Sequence, residues 1–510
     1  MLWYILGTLT VIATILVVVD IRKRKYLQRN LYIDADSNVA KPIPFRDPLV
    51  AQAVALTRLF SGRARGKKAI EDKKKDFSKD INGSSQLRLL QSSFLNFNFV
   101  SIWDADIGRS VLFAKDTDLT KPDFGGLQAN LLGDSILQTS GEVWKLHKNA
   151  LSPAFKWDHI RASLPCFIDI ANELAENLKK HSDKPIEIYN WVQRATLDAI
   201  GRGGFGHEFH AMREGEERSP EIQNYEALMK EFENPIHIFE KLDKLTGGYN
   251  RFKDLMSKFE AFMASLIAIK REAIQNAVAK NEEWAPKDIL DFLLFSRDGD
   301  LLTDLQIARD LNTFFVAGHE TTAGALSNTI HFLAENPECQ RKAREEVLSV
   351  CGNNPPSHED IQKMEYINNC IKESLRLFPP AIAVARSVEQ DQQVGNLFLA
   401  KGSLALVHVY LIHHDPHYWG EDVEAFNPDR FTTENSKNRH RYAWMPFSIG
   451  PRQCIGNNFA MLEMRSFLAV LLQRFEFEKN PNSKEAFSEF LGIVLRPPPH
   501  CTLLLKSIEQ

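Results

Sequence analysis

PFSIGPRQCIGNNFAM, residues Pro446–Met461, holds one cysteine, Cys454, between Gly450 and Gly456, with Arg452 two residues before it. A structural zinc takes four protein ligands and an iron–sulfur cluster usually four thiolates, and a single cysteine meets neither need. The other cysteines, Cys166, Cys339, Cys351, Cys370 and Cys501, are scattered without a CxxC pair and read as packed thiols. One thiol in a glycine-framed loop does fit a single axial position on a haem iron. The glycines would let the backbone lie against the macrocycle, and the N–H groups of a helix starting near Asn457 would stabilise a thiolate. Arg452 would pair with a propionate. A cysteine nucleophile is the rival; it needs a histidine base and an oxyanion hole, and His440 and His413-His414 are available as bases.

Upstream, Thr303 to Gln306 has the capping-box pattern and nothing breaks helical spacing until Pro337. A helix of about thirty residues is expected, against ~11–12 for an average one, so it must run through the core. Inside it lies Ala317-Gly318-His319-Glu320-Thr321-Thr322-Ala323-Gly324, whose glycines and β-branched threonines weaken a helix interior. Glycine would admit a flat ligand, a threonine hydroxyl can compete for a main-chain carbonyl, and an acid beside it can pass protons. A packing notch with its charge facing solvent is the plain alternative. A second helix is expected from Ser357, where Asp360 completes another capping box, to just before Pro379-Pro380. It carries Glu373 and Arg376 at i and i+3, a pair of little weight alone. FNPDRF, Phe426–Phe431, offers Arg430 as a second guanidinium for the same carboxylate. The β-branched, apolar runs Leu404–Leu411 and Cys501–Leu505 read as strands in a body that is mainly α with a small β part.

With 510 residues, 44% of them hydrophobic, the chain is long enough for a large enzyme core and is no disordered polymer. Its net charge of −4 gives no pull toward nucleic acid. Leu2–Val19 is uncharged and would span ~27 Å as a helix, close to a bilayer core of ~30 Å. The basic cluster Arg22-Lys23-Arg24-Lys25 follows it in place of a small-residue cleavage site, and no basic segment precedes it. The expected organisation is a transmembrane signal anchor over 1–21, a basic and proline-containing linker over 22–49, and a catalytic domain over 50–510 on the cytosolic face. Arg63–Asp76 reads as a solvated helix or loop, with contact to anionic lipid the other reading, and the Asn82-Gly83-Ser84 sequon as a loop.

The motifs together resemble the cytochrome P-450 superfamily. Phe447–Gly456 matches the family's FxxGxRxCxG haem-binding loop at every fixed position, and Ala317–Thr322 resembles its oxygen-activation motif. Glu373 and Arg376 match the ExxR pair and Arg430 the arginine that completes a structural triad. Trp144 precedes Lys148 by four, as in the motif that reaches a haem propionate, and Arg386 after Pro379-Pro380 matches another propionate ligand. The resemblance implies the cytochrome P-450 fold behind an N-terminal anchor, with haem b ligated by Cys454 in a loop shaped by Phe447, Gly450 and Gly456. Arg452, Trp144, Lys148 and Arg386 would hold the propionates, and Glu320 and Thr321 would deliver protons to bound dioxygen. The implied reaction is hydroxylation or epoxidation of an apolar small molecule, with electrons from NADPH through a separate cytochrome P-450 reductase and cytochrome b5 a further candidate donor. It also implies single-pass residence in the endoplasmic reticulum membrane, in contact with lipid and with no nucleic-acid partner.

Lys148 stands where arginine is usual, which keeps the charge and loses the bidentate fork. Ala317 stands where many fatty-acid ω-hydroxylases of the family carry a glutamate bonded to haem, so this chain cannot form that bond. By resemblance the pocket would draw on part of Phe99–Leu137, the face of Phe315, Ala317 and Thr321, and Ala381–Val384. The basic residues Lys437, Arg439 and Arg441 either dock an acidic reductase face or form a solvated run. Two other classes would retain Cys454: an isomerase or dehydratase of an oxygenated lipid, against which the Glu320-Thr321 pair argues, and a membrane-anchored haem sensor. A cysteine hydrolase would bind no haem.

Overall fold

The computed structural model describes residues 89–94, 97–122, 132–213, 219–232, 247–282, 284–295, 301–395, 397–483, 489–491, 494–497 and 501–508. The expected anchor, the linker, the Arg63–Asp76 run and the Asn82 sequon lie outside these residues. Among the described residues no helix is long and apolar enough to cross a membrane.

The sheet is small and built from distant parts of the chain. Strands β1 (Leu89–Phe94), β2 (Phe97–Ile102), β3 (Leu119–Thr120), β4 (Val384–Val388) and β5 (Ser403–Val407) lie in the order β1-β2-β5-β4-β3. β2 runs parallel to β5, and the other pairings are antiparallel. The strand expected over Leu404–Leu411 stops at Val407. Ile102 of β2 and Val384 of β4 both pair with Val407, so neither neighbour offers a ladder beyond it, and the chain turns into the helix Val409–His413. The expected C-terminal strand is present as Leu503–Ser507, paired antiparallel with Phe475–Lys479.

The helical body contains α1 (Ala105–Leu112), α2 (Gly141–Leu151), α3 (Leu164–Lys180), α4 (Ile188–Ile200), α5 (Pro220–Phe232) and α6 (Gly248–Ala279). It continues with α7 (Asp304–Glu335), α8 (Pro337–Cys351), α9 (His358–Lys363), α10 (Glu365–Leu377) and α11 (Asn457–Arg474), joined by shorter turns. Thr303 and Gln306 form the reciprocal cap at the start of α7. Of its 32 residues 23 are buried, because α4, α6 and α10 pack around it.

The second long helix is divided. Ser357 and Asp360 cap α9 as expected, but the helix ends at Met364 and restarts as α10. The new N-terminus is capped from another helix: the Glu346 carboxylate of α8 accepts from the Tyr366 N–H at 2.7 Å and the Ile367 N–H at 2.9 Å. A carboxylate on orphan amides stabilises a helix start, and no local sequence pattern signals a cap borrowed from α8.

Candidate active site

The loop around Cys454 is fixed from three sides. Gly450 adopts φ +78, and a Cβ there would meet the Leu112 carbonyl oxygen of α1 at 2.6 Å, so glycine is required by both conformation and contact. The Cys454 N–H donates to the Phe447 carbonyl at 2.9 Å, and Gly456 caps α11. Of the six cysteines, Cys454 is the one that is exposed. Burial nonetheless raises its thiol pKa, opposed by the Gly456 N–H. Cys501, by contrast, is 2% exposed, with its sulfur 3.6 Å from the His331 ring nitrogens.

Beside the loop, Arg452 is clamped by Asp116 at 2.8 and 2.6 Å and donates to the Ile136 carbonyl at 3.2 Å and the Thr139 carbonyl at 2.5 Å. Its guanidinium sits 4.2 Å from the Trp144 ring centroid, and the Lys148 amine lies 4.9 Å from the same ring. Lys148 donates to the Pro451 carbonyl at 3.0 Å, which ties α2 to the loop. Arg386 on β4 is 2% exposed and its Nη2 is buried with no partner. Burial and Arg452 lower the Arg386 pKa to about 10. Lys121, half-buried, is depressed to about 7 by burial, Arg386 and Arg452. Asp116 is the acid that opposes both shifts, so among the described residues three basic groups share one carboxylate and an excess of positive charge remains for an anionic ligand.

Between Asp310 and His331 of α7 three residues near the middle break an otherwise buried run. Ala317, Gly318 and Thr321 are half-buried while Phe315, Val316, His319 and Glu320 are buried. Thr321 Oγ1 donates to the Ala317 carbonyl at 2.7 Å and Thr322 Oγ1 to the Gly318 carbonyl at 2.9 Å. These bonds compete with the ladder without breaking it, for α7 is continuous. The cysteine loop and α7 are linked through intermediaries. Phe155, near Gly456, lies 5.5 Å from Phe314, and Ile136, whose carbonyl binds Arg452, donates its N–H to Asp310 of α7 at 2.7 Å.

Behind the site, Glu373, Arg376 and Arg430 come together. Arg376 donates to both Glu373 oxygens at 2.7 and 2.8 Å and to the His413 carbonyl at 3.0 Å, with Glu373 and Arg376 both fully buried. Arg430 Nε lies 3.3 Å from Glu373, and its two amino groups donate to the Trp419 and Asp422 carbonyls at 2.7 Å. The Asn427 N–H supplies a further donor to Glu373 at 3.0 Å.

The cytochrome P450 family model matches residues 90–504. The chain belongs to the cytochrome P-450 family. It is 32% identical over 74% of its length to cytokinin hydroxylase of Arabidopsis thaliana, covering 72% of that protein. It is 31% identical over 76% to cytochrome P-450 4F1 of Rattus norvegicus, covering 76% of it, and 32% identical over 72% to 11-oxo-beta-amyrin 30-oxidase of Glycyrrhiza uralensis, covering 72%. Members of the cytochrome P-450 family are oxidoreductases that bind haem iron through a cysteine thiolate, and this chain is a haem-thiolate monooxygenase in that general sense. The residues present fit haem. The macrocycle carries two carboxylates, which suit the excess positive charge of the cradle and the unpartnered Arg386 Nη2, and Cys454 is the exposed thiol of the neighbouring loop.

Asp116, Lys121 and Ile136 were not legible as site residues of this cytochrome P-450. They lie in ordinary charged or apolar stretches, and only the fold sets them against Arg452. Arg439 departs from the docking expectation. Its guanidinium donates to the Arg430 carbonyl and Ser436 Oγ, both at 2.6 Å, and stacks between Trp419 and Phe431 at 4.7 and 4.6 Å. Lys437 pairs with Glu434, while Arg441 is exposed.

Proposed function

We propose that Cys454 would supply the thiolate ligand of the haem iron in this monooxygenase, that Lys121, Arg386 and Arg452 would hold the haem carboxylates, and that Glu320 and Thr321 of α7 would manage protons. The observation that carries this reading is the exposed cysteine beside a cradle with more positive than negative charge. A bound metal cation reverses the effect of burial on a neighbouring thiol, so the raised Cys454 pKa does not oppose ligation. When bound, the haem supplies the activation of dioxygen and the oxygen-atom transfer. The chain's residues do the rest. The Gly456 N–H steadies negative charge on sulfur, and Asp116 holds Arg452 in one orientation. Trp144 covers that guanidinium, Gly318 lets α7 pack closely on Ile200 of α4, which a Cβ there would meet at 3.2 Å, and the small, half-buried Ala317 keeps side-chain bulk low at that turn of α7. Thr321, bonded to the Ala317 carbonyl, keeps its hydroxyl at the half-open turn, where it can pass a proton. Glu373, Arg376 and Arg430 lock the chain behind the loop.

The donor in this reading is a separate NADPH-dependent reductase, the substrate is apolar, and residence is in the endoplasmic reticulum membrane through Leu2–Val19. The family supports a redox partner and hydrophobic substrates in general. The relatives differ widely in the substrates that their names print, so similarity at this level does not choose one. The first test uses the full-length haem-loaded chain, reduced with dithionite and treated with carbon monoxide. The strongly red-shifted Soret band of thiolate ligation is expected for the native chain and for Cys501→Ser, and is expected to be lost in Cys454→Ser. Loss in Cys501→Ser with the band kept in Cys454→Ser would overturn the assignment. Dependence of product on NADPH and dioxygen then separates a monooxygenase from an isomerase or a sensor.

A further inference from the structure

His319 lies in the oxygen-activation turn next to Glu320, and three helices converge on it. Its Nδ1 is 2.5 Å from the Phe315 carbonyl, an acceptor, which places the proton on Nδ1 and the lone pair on Nε2. The Tyr225 hydroxyl of α5 lies 3.3 Å from that Nε2 and is therefore the donor. The two rings meet edge-on at 5.3 Å and are 3% and 1% exposed. On the backbone side, Thr196 Oγ1 of α4 donates to the His319 carbonyl at 3.1 Å. The Tyr225 ring also touches Phe315 of α7 at 4.5 Å and Phe259 of α6 at 5.5 Å, so its position is set by packing from two sides.

The consequence lies in the helix ladder. Phe315, Ala317 and Gly318 each have a carbonyl that accepts from a side chain four residues on, namely His319, Thr321 and Thr322. Such bonds compete with the backbone N–H for the same carbonyl and loosen a helix locally. Three of them within one stretch coincide with the half-open part of α7. The imidazole makes its share only in one rotamer and one tautomer, and a hydroxyl donated to Nε2 favours both.

We propose that Tyr225 is a positioning residue for oxygen activation: by donating to His319 Nε2 it fixes the imidazole that holds α7 loosened between Phe315 and Thr322, and so sets the placement of Glu320 and Thr321. The proposal rests on the proton-delivery reading of those two residues. It gives α5 an energetic link to the reacting centre through the Tyr225–His319 hydrogen bond.

The test is Tyr225→Phe in the full-length haem-loaded chain, which keeps the ring packing and removes the donor. Two readouts are taken, with the thermal midpoint and the carbon monoxide spectrum of each variant recorded beside them. Amide hydrogen exchange across residues 314–324 is expected to change by about threefold to tenfold, the factor expected of one neutral hydrogen bond, with α4 and α10 unaltered. Peroxide released per NADPH, with a cytochrome P-450 reductase as electron source and no substrate added, is expected to rise by a similar factor. Unchanged exchange and unchanged peroxide yield would overturn the proposal, as would loosening spread through α5 and α6 with a lowered midpoint, the sign of a merely structural tyrosine. Should the exchange change while peroxide yield does not, the link to α7 stands, and the proposed positioning of Glu320 and Thr321 for proton delivery falls.

Discussion

Replacing Glu373 by glutamine keeps the shape of the triad and removes its only negative charge. In the native chain both oxygens are taken by Arg376, one of them also by the Asn427 N–H, and Arg430 stands 3.3 Å away. The variant would turn an amide N–H₂ toward a guanidinium donor and leave two cations in a site where Glu373 and Arg376 are fully buried. Breaking a buried ion pair from one side costs about 3–5 kcal/mol. For a domain of roughly 400 residues, at ~2.1 cal/mol/K of unfolding entropy each, this corresponds to a midpoint about 4–6 °C lower. Arg430→Ala should cost less, about 1.5–3 kcal/mol, because it leaves the bidentate Arg376 pair intact and removes chiefly bonds to two carbonyls and Asp422. The assay is thermal loss of the Soret band and of native tryptophan fluorescence in the full-length chain, at one scan rate for all variants. A Glu373→Gln midpoint within 1 °C or so of native, or an Arg430→Ala loss as large as that of Glu373→Gln, would refute the claim that the Glu373–Arg376 pair carries the lock.

Three further outcomes are expected. Burial raises the Asp198 pKa to about 6, so between about pH 4 and 6 the native state binds more protons than the unfolded chain and stability falls as pH rises; Asp198→Asn, which can still accept from the Ala211 N–H, should flatten that slope in urea midpoints taken across this range. Lys121→Gln removes one of three cradle cations and should speed haem transfer to an acceptor apoprotein, read from the Soret band, whereas an unaltered rate would remove Lys121 from the cradle. Thr321→Ala should raise peroxide released per NADPH, and unchanged coupling would count against a role in proton delivery.

The cysteine loop, the long central helix with its cap, and the acid–base pair of α10 could be read from the sequence alone, because each is a local pattern. Glycine at 450, Thr303 with Gln306, and Glu373 with Arg376 express constraints that act within a few residues. The mainly helical body with a minor sheet followed from apolar spacing in the same way. What escaped depends on partners far along the chain. The break at Met364 is decided by Glu346, the end of β5 by where β2 and β4 stop, and the stacked, half-buried place of Arg439 by Trp419 and Phe431. Asp116, Lys121 and Tyr225 carry no signature of their own. They gain roles only when folding brings Arg452, Arg386 and His319 against them, since electrostatic and hydrogen-bond energies fall off within a few ångströms and sequence separation says nothing of that distance.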